Sequence, residues 1–249
     1  MIDIHCHLLP GIDDGPDTME ASIELARLAV RNGITHSVVT PHIHAGRWEN
    51  TAPIIKAISL DFKRALVENG IPLQVGIASE VRIGIEIMEQ INLRQIPFLG
   101  SWEGKKVMLL EMPHSHVPMG IEKLVGWLMD RDILPMVAHP ERNKDIHRNF
   151  HKIDSLIGMG CLFQLTASSL TGQWGAPSRE RAVQLLEEGV VTVLASDAHN
   201  TRSRPPEMRH GRDIAADIIG QDAAYRLVED NPWTIVGEQF AFIQDLAGG

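Results

Sequence analysis

The 249-residue sequence is poor in cysteine, poor in aromatic residues and without an excess of positive charge. Its two cysteines, Cys6 and Cys161, are too few and too distant in the chain for a disulfide framework. A net charge of −9 argues against binding to nucleic acid or to an anionic membrane, because both need a basic surface. No apolar run is long enough to cross a membrane, and the first residues do not resemble a signal peptide. These absences predict a cytoplasmic protein with no membrane insertion.

Short runs rich in Val, Ile and Leu alternate with longer helical patterns. Seven strands are predicted, at residues 1–5, 35–40, 72–78, 106–112, 133–139, 161–166 and 190–196. Helices are predicted at residues 19–32, 53–69, 121–131, 153–159, 179–188, 209–219 and 222–228, with a last short helix starting at Asn231 and Pro232. The apolar residues of the strands run continuously, as in strands buried on both faces. We therefore predict an α/β fold with a parallel, barrel-like sheet and one domain over residues 1–249.

Residues of the types that bind metals stand at or near the carboxyl ends of six of the seven predicted strands. They are His5, His7, His42, Glu80, Glu111, His139, Asp197 and His199, and Asp14 lies on a neighbouring loop. Active sites of βα barrels lie on this face. His5 and His7 are two positions apart, so a strand directs both imidazoles to one side, where they can share an ion. Mixed His and carboxylate ligands favour manganese, iron or zinc over calcium.

The sequence resembles the PHP superfamily of metal-dependent phosphoesterases. The motifs that carry the resemblance are His5-Cys6-His7, Thr40-Pro41-His42, Glu80, Glu111, His139 and Asp197-Ala198-His199, in the order typical of the superfamily. It is more narrowly similar to the bacterial PHP-type protein tyrosine phosphatases of capsule and exopolysaccharide loci. That similarity lies in Gly11-Ile12-Asp13-Asp14-Gly15-Pro16, His139-Pro140-Glu141-Arg142 and Ser203-Arg204-Pro205-Pro206-Glu207-Met208.

The resemblance implies a distorted (β/α)7 TIM-like barrel, the PHP fold, around three divalent metal ions. Manganese is expected, and iron or zinc is compatible. The first ion would be held by His5, His7, Glu80 and Asp197. Glu80 would bridge to a second ion, held also by Glu111 and His139. The third ion would be held by Asp14, His42 and His199. Arg142 and Arg204 match family arginines that face the phosphate.

The activity implied by the resemblance is hydrolysis of phosphotyrosine in a protein by a metal-activated hydroxide. The implied partner is a bacterial tyrosine kinase of capsule or exopolysaccharide biosynthesis. Four ligand carboxylates (−4) and three divalent ions (+6) would leave the site at about +2, which favours a phosphoester dianion. Water bound to such ions loses its proton near neutral pH.

Alternatives remain open at this level. A small-molecule phosphatase of the same superfamily, such as a histidinol phosphatase, would have the same metal site. A non-catalytic PHP-like domain would have lost ligands, and this chain retains all nine. A cysteine-dependent phosphatase needs an Arg six residues after its nucleophile, where Ile12 and Ala167 stand. Asp13 competes with Asp14 as a ligand. Residues on loops predicted near the site, without an assigned role, are His44, Arg47, Trp48, His114, His116 and Trp174.

Overall fold

The computed structural model describes residues 1–244 as strands, helices and connecting loops. The strands are β1 (Ile2–Cys6), β2 (His36–Val39), β3 (His42–Ile43), β4 (Gln74–Ile77), β5 (Glu80–Arg82), β6 (Gly100–Trp102), β7 (Lys105–Glu111), β8 (Ile133–Ala138), β9 (Leu162–Thr166) and β10 (Val193–Ala195). The α-helices are α1 (Met19–Asn32), α2 (Ala52–Glu68), α3 (Ile87–Asn92), α4 (Ile121–Met129), α5 (Lys144–Arg148), α6 (Asp154–Gly158), α7 (Ala167–Leu170), α8 (Ala176–Glu187), α9 (Arg209–Ile219), α10 (Gln221–Val228), α11 (Asp230–Val236) and α12 (Glu238–Gln244).

The strands form a barrel of seven parallel positions. Two sheets have the orders β1-β2-β4 and β10-β9-β8-β7-β5-β3, and only β6 pairs antiparallel, with β7. β3 continues β2 after a break at Thr40 and Pro41, and β5 continues β4 in the same way. A parallel bridge between Cys6 and Ala198 joins the end of β1 to the residues after β10 and closes the ring. The predicted α/β barrel with seven strand positions is confirmed.

Two apolar layers hold the barrel together. Inside it, alternate residues of the strands, such as Val107 and Leu109 on β7, pack with Ile235 of α11. Outside it, the intervening strand residues pack against the helices. This arrangement is why the strands read as continuous apolar runs, since both faces of the sheet are buried.

The helices begin and end close to the predicted residues. Thr18 caps α1 by accepting a hydrogen bond from the Ala21 N–H, and Gly33 ends the helix with a φ of 93°. Two details of the prediction are wrong. The helix predicted at residues 179–188 begins three residues earlier, at Ala176 of α8. The helix at Asn231 and Pro232 is not the last, because α12 follows it.

The end of the barrel opposite the predicted site is covered by α11 and α12. Trp233 and Phe240 pack edge-on against His36, at the start of β2. Among residues 1–244, no helix is long and apolar enough to span a membrane. The assignment of residues 1–249 to one domain stays a prediction, and positions 245–249 lie outside the described residues.

Candidate active site

All nine predicted ligand residues converge at the carboxyl ends of the barrel strands. They form four overlapping groups, in each of which one donor atom per residue lies within 4.8 Å of the others. The groups are His7, Asp14, His42 and His199; His5, His7 and Glu80; His5, His139 and Asp197; and His42, Glu80 and Glu111. Eight of the nine residues are buried, and Asp14 is the exposed one. The groups differ from the predicted sets, because His139 lies with Asp197 and His7 lies with the residues predicted to hold the third ion. The assignment of each ligand to an ion stays a prediction.

The backbone is irregular in or just after three of the strands that carry these side chains, β1, β8 and β10. The register of β1 against β2 shifts between Asp3 and Cys6, so Ile4 packs in the inner layer and Cys6 in the outer one. His139 directly follows β8 and has a φ of 32°, and Asp197 lies two residues after the end of β10 and has a φ of 52°. Left-handed backbone is costly for residues other than glycine and is concentrated at functional sites.

Two carboxylates occupy the centre of the cluster. Glu80 Oε2 lies 3.3 Å from Nε2 of both His5 and His7, and 3.1 Å from His42 Nδ1. Asp197 Oδ1 lies 3.3 Å from His5 Nε2. Neither oxygen has a hydrogen-bond partner among the described residues, and neither has His42 Nδ1.

Unpaired buried polar atoms are costly and rare in folded proteins. Here several of them point at one another from different strands, and each is a donor atom that divalent transition metals bind. The donor set therefore fits a cluster of divalent cations, which would satisfy these atoms together.

The Nδ1 atoms of His5 and His7 form hydrogen bonds on the side away from the centre of the cluster. His5 Nδ1 donates to Gln164 Oε1 at 2.7 Å, and His7 Nδ1 to Asp13 Oδ2 at 2.7 Å. The Nε2 atom of each ring thereby faces the centre of the cluster. Asp13 supports His7, whereas Asp14 Oδ1 faces the Nε2 atom of His199 at 3.2 Å.

Sequence reasoning missed Gln164. Its only signal is a polar residue at an inward position of an apolar strand, between Leu162 and Thr166 of β9. β9 is the one barrel strand without a predicted ligand, and it contributes this support instead.

The protonation states of the buried groups suit metal binding. Burial, reinforced by Arg142, lowers the pKa of His139 to about 3. Burial, reinforced by His7, lowers that of His199 to about 4. Both imidazoles are therefore neutral at pH 7, the form that binds metals. Burial disfavours the Asp197 carboxylate, but Arg142 and His5 hold its pKa well below the usual range.

His5, His7 and Glu111 are the exceptions. Burial disfavours the charged imidazoles of His5 and His7, but the carboxylates of Glu80 and Asp13 raise their pKa values, so metal binding displaces a proton from these rings. Burial and the neighbouring Glu80 raise the pKa of Glu111. Two carboxylates this close repel each other, and a cation between them removes that repulsion.

The two arginines predicted to face phosphate both contact Asp197. Arg142 Nη1 lies 2.6 Å from Asp197 Oδ2 and Arg204 Nη2 lies 2.9 Å from it. Trp174 lies beneath both, with its ring 4.4 Å and 5.5 Å from the two guanidinium carbons. Both arginines line a cavity of about 180 Å³ together with predicted ligands.

Most of the loop residues without an assigned role also line this cavity. They are His44, Arg47, Trp48 and His114. Trp48 stacks on His42 with ring centroids 4.6 Å apart and an interplanar angle of 7°. His116 is exposed and contacts Ser115 rather than the cavity.

Neither cysteine is placed for nucleophilic chemistry. Cys6 is 1% exposed, and its Sγ lies 3.5 Å from the Val38 carbonyl oxygen. Burial raises the pKa of the Cys6 thiol well above its usual range and that of Cys161 to about 12. Both therefore stay protonated near neutral pH, which is the unreactive form.

The protein is a parallel α/β barrel whose strand ends gather imidazoles and carboxylates, and this arrangement is that of a barrel with a metal centre. The same fold occurs in an organophosphorus hydrolase from Deinococcus radiodurans, which superposes with a TM-score of 0.58 at 13% identity over 95% of this chain and 92% of that one. The family model for capsular polysaccharide synthesis, CpsB/CapC, matches residues 1–237. The chain therefore belongs to the CpsB/CapC family.

Relatives within this family are similar over nearly their whole length. The tyrosine-protein phosphatase YwqE of Bacillus subtilis is 34% identical over 92% of this chain and 89% of its own. The tyrosine-protein phosphatase CpsB of Streptococcus pneumoniae is 30% identical over 96% of this chain and 99% of its own. A chain from the crystal structures of these two proteins, described as unique metal-dependent tyrosine phosphatases, superposes with a TM-score of 0.87 at 34% identity and 94% coverage of both chains.

Proposed function

We propose that the protein is a metal-dependent protein tyrosine phosphatase that hydrolyses phosphotyrosine in a protein. The observation that carries the proposal is the convergence of nine ligand-type side chains, several of which have unpaired buried donor atoms among the described residues, beside a cavity lined by Arg142 and Arg204. The names of the full-length relatives support the substrate class. Three divalent ions, with manganese expected, are part of the proposal.

Each group of residues has a distinct task. The nine ligands hold the ions, and Gln164 and Asp13 keep His5 and His7 in the required orientation. When bound, divalent ions supply Lewis acidity and lower the pKa of water, so that a nucleophile exists at neutral pH. Arg142 and Arg204 bind the phosphoryl oxygens, since a guanidinium donates two parallel hydrogen bonds to such groups.

The tyrosine leaving group needs little help from a general acid. A tyrosine phenol has an unperturbed pKa of about 10, so the phenolate leaves more readily than an alkoxide. The proposed partner is a tyrosine kinase of capsule or exopolysaccharide biosynthesis, and the proposed location is the cytoplasm.

The test is the initial rate of metal-stripped protein, with and without added manganese, on a phosphotyrosine peptide and on histidinol phosphate. We expect manganese-dependent hydrolysis that strongly favours the peptide. Glu80→Gln should abolish it by removing the central ligand oxygen, whereas the exposed Glu68→Gln on α2 serves as the matched control. Preference for histidinol phosphate would refute the substrate class, and metal-independent hydrolysis would refute the mechanism.

A further inference from the structure

The cavity wall has more arginines than the phosphate requires. It carries Arg47 and Arg82 in addition to the two arginines proposed to bind phosphate. Its three carboxylates are Asp14, Glu80 and Glu111, and each is a predicted metal ligand. Once divalent cations bind these carboxylates, the positive charge of the ions and the four arginines exceeds the negative charge of the wall. This positive region lies on a protein with a net charge of −9.

Each additional arginine contacts a neighbouring side chain, and the less exposed Arg82 is also held by an ion pair. Arg47 lies in the turn after β3, with its guanidinium carbon 3.9 Å from the Trp48 ring centre. Arg82 is the last residue of β5, and its Nη1 lies 2.8 Å from Glu111 Oε1. The Arg82 side chain is only 22% exposed. Anchored guanidinium groups lose less side-chain entropy on binding a ligand than free ones do.

We propose that Arg47 and Arg82 form an anion subsite for carboxylate side chains that flank the phosphotyrosine. The preferred substrate is then an acidic segment of a phosphoprotein. This inference rests on the proposed function and narrows its substrate class. A guanidinium group binds a carboxylate through two parallel hydrogen bonds, and an uncompensated positive wall also attracts acidic segments from a distance.

A smaller groove next to the cavity limits where the acidic residues can bind. It has a volume of about 150 Å³ and shares His44 and Arg82 with the cavity. Beyond them, its wall includes the apolar Ile83 and Ile87 and the carboxylate of Glu86. A substrate carboxylate is repelled by Glu86, so the subsite lies at the Arg82 end, close to the phosphotyrosine.

Two matched phosphopeptides test the proposal, one with Asp and one with Asn at the positions flanking the phosphotyrosine. p-Nitrophenyl phosphate serves as a substrate without flanking residues. The variants are Arg47→Gln and Arg82→Gln. The control is Arg64→Gln, at an exposed arginine on α2 that pairs with Asp61. Binding of each peptide carrying a non-hydrolysable phosphonate, followed by fluorescence anisotropy at low and high salt, provides a readout independent of turnover.

We expect the protein to favour the Asp peptide by roughly tenfold in kcat/KM, mainly through KM, with the preference falling at high salt. Each variant should reduce that preference by about threefold, the scale of a partly exposed ion pair, and should affect p-nitrophenyl phosphate less. Arg64→Gln should retain the full preference. Equal binding of both peptides, or a preference that survives both variants, would overturn the subsite while leaving the phosphatase proposal intact. Absence of metal-dependent turnover on all three substrates would instead overturn the proposed function.

Discussion

Replacement of Gln164 by leucine should weaken metal binding, although Gln164 is not itself a predicted ligand. Gln164 is fully buried on β9. Its Oε1 accepts hydrogen bonds from His5 Nδ1 at 2.7 Å and from the His139 N–H at 3.2 Å. Gln164→Leu keeps most of the side-chain volume and removes this acceptor. His5 would then be free to change tautomer or to rotate, and its Nε2 lone pair would no longer be fixed on the metal centre.

The magnitude follows from the number of groups left unpaired. Two buried donors, on His5 and His139, lose their acceptor at about 1–3 kcal/mol each. The Gln164 Nε2 atom is itself buried and has no hydrogen-bond partner within residues 1–244, so its removal offsets about 1–3 kcal/mol of that cost. The expected net loss in the free energy of unfolding of the metal-free protein is about 2 kcal/mol. Loss of such a supporting hydrogen bond typically weakens metal affinity by about 10- to 100-fold.

Urea unfolding of the metal-free protein measures the free energy of unfolding, and competition with a metal chelator measures the metal affinity. Gln164→Glu preserves an acceptor for His5 and should retain more metal affinity than Gln164→Leu. Gln221→Leu, at an exposed position on α10, controls for the change in residue type. Unchanged metal affinity in Gln164→Leu would refute the reasoning, because it would mean that His5 needs no support from β9.

Three further changes probe the fold and the mechanism. Cys6→Ala should retain most of the metal-dependent hydrolysis, because the Cys6 thiol is buried and protonated, and loss of activity without loss of bound metal would contradict this. Gly211→Ala should lower the free energy of unfolding by about 2 kcal/mol in denaturant titrations, because its Cβ would lie 2.5 Å from the Ala167 carbonyl oxygen, whereas Gly158→Ala has open space and should not. Burial raises the pKa of Asp3, so its contribution to stability is present at low pH and lost as the pH rises. Asp3→Asn should therefore gain stability relative to the unmodified protein as the pH rises above about 4 in urea unfolding, and a difference independent of pH would rule this out.

The barrel and the kinds of ligand could be predicted from the sequence because both depend on short segments. A continuous apolar run such as residues 133–138 indicates a strand buried on both faces. Parallel strands in a barrel bring their carboxyl ends to one face, so His5, Glu111 and Asp197 had to meet once the strands were recognised. The order of these residues along the chain was also sufficient for the resemblance to a family of metal-dependent phosphatases.

The supporting contacts could not be predicted, because each joins residues that are far apart in the chain. Gln164 bonds to His5 across 159 positions, and Arg142 to Asp197 across 55. Nothing local to Gln164 distinguishes it from any other polar residue in a strand. Trp174 could be placed near the site from its loop, but not beneath the two arginines.

Strand ends and ligand types were thus determined by the sequence alone, through local hydrophobic pattern and the topology of parallel barrels. The tertiary structure decided which donor atoms lie close enough to share a metal position, which carboxylate of Asp13 and Asp14 faces the centre, and which arginines line the cavity. The physical reason is that these properties depend on side-chain orientation, burial and distance across the barrel. These orientations, burials and distances are established only when the seven strands close into one ring.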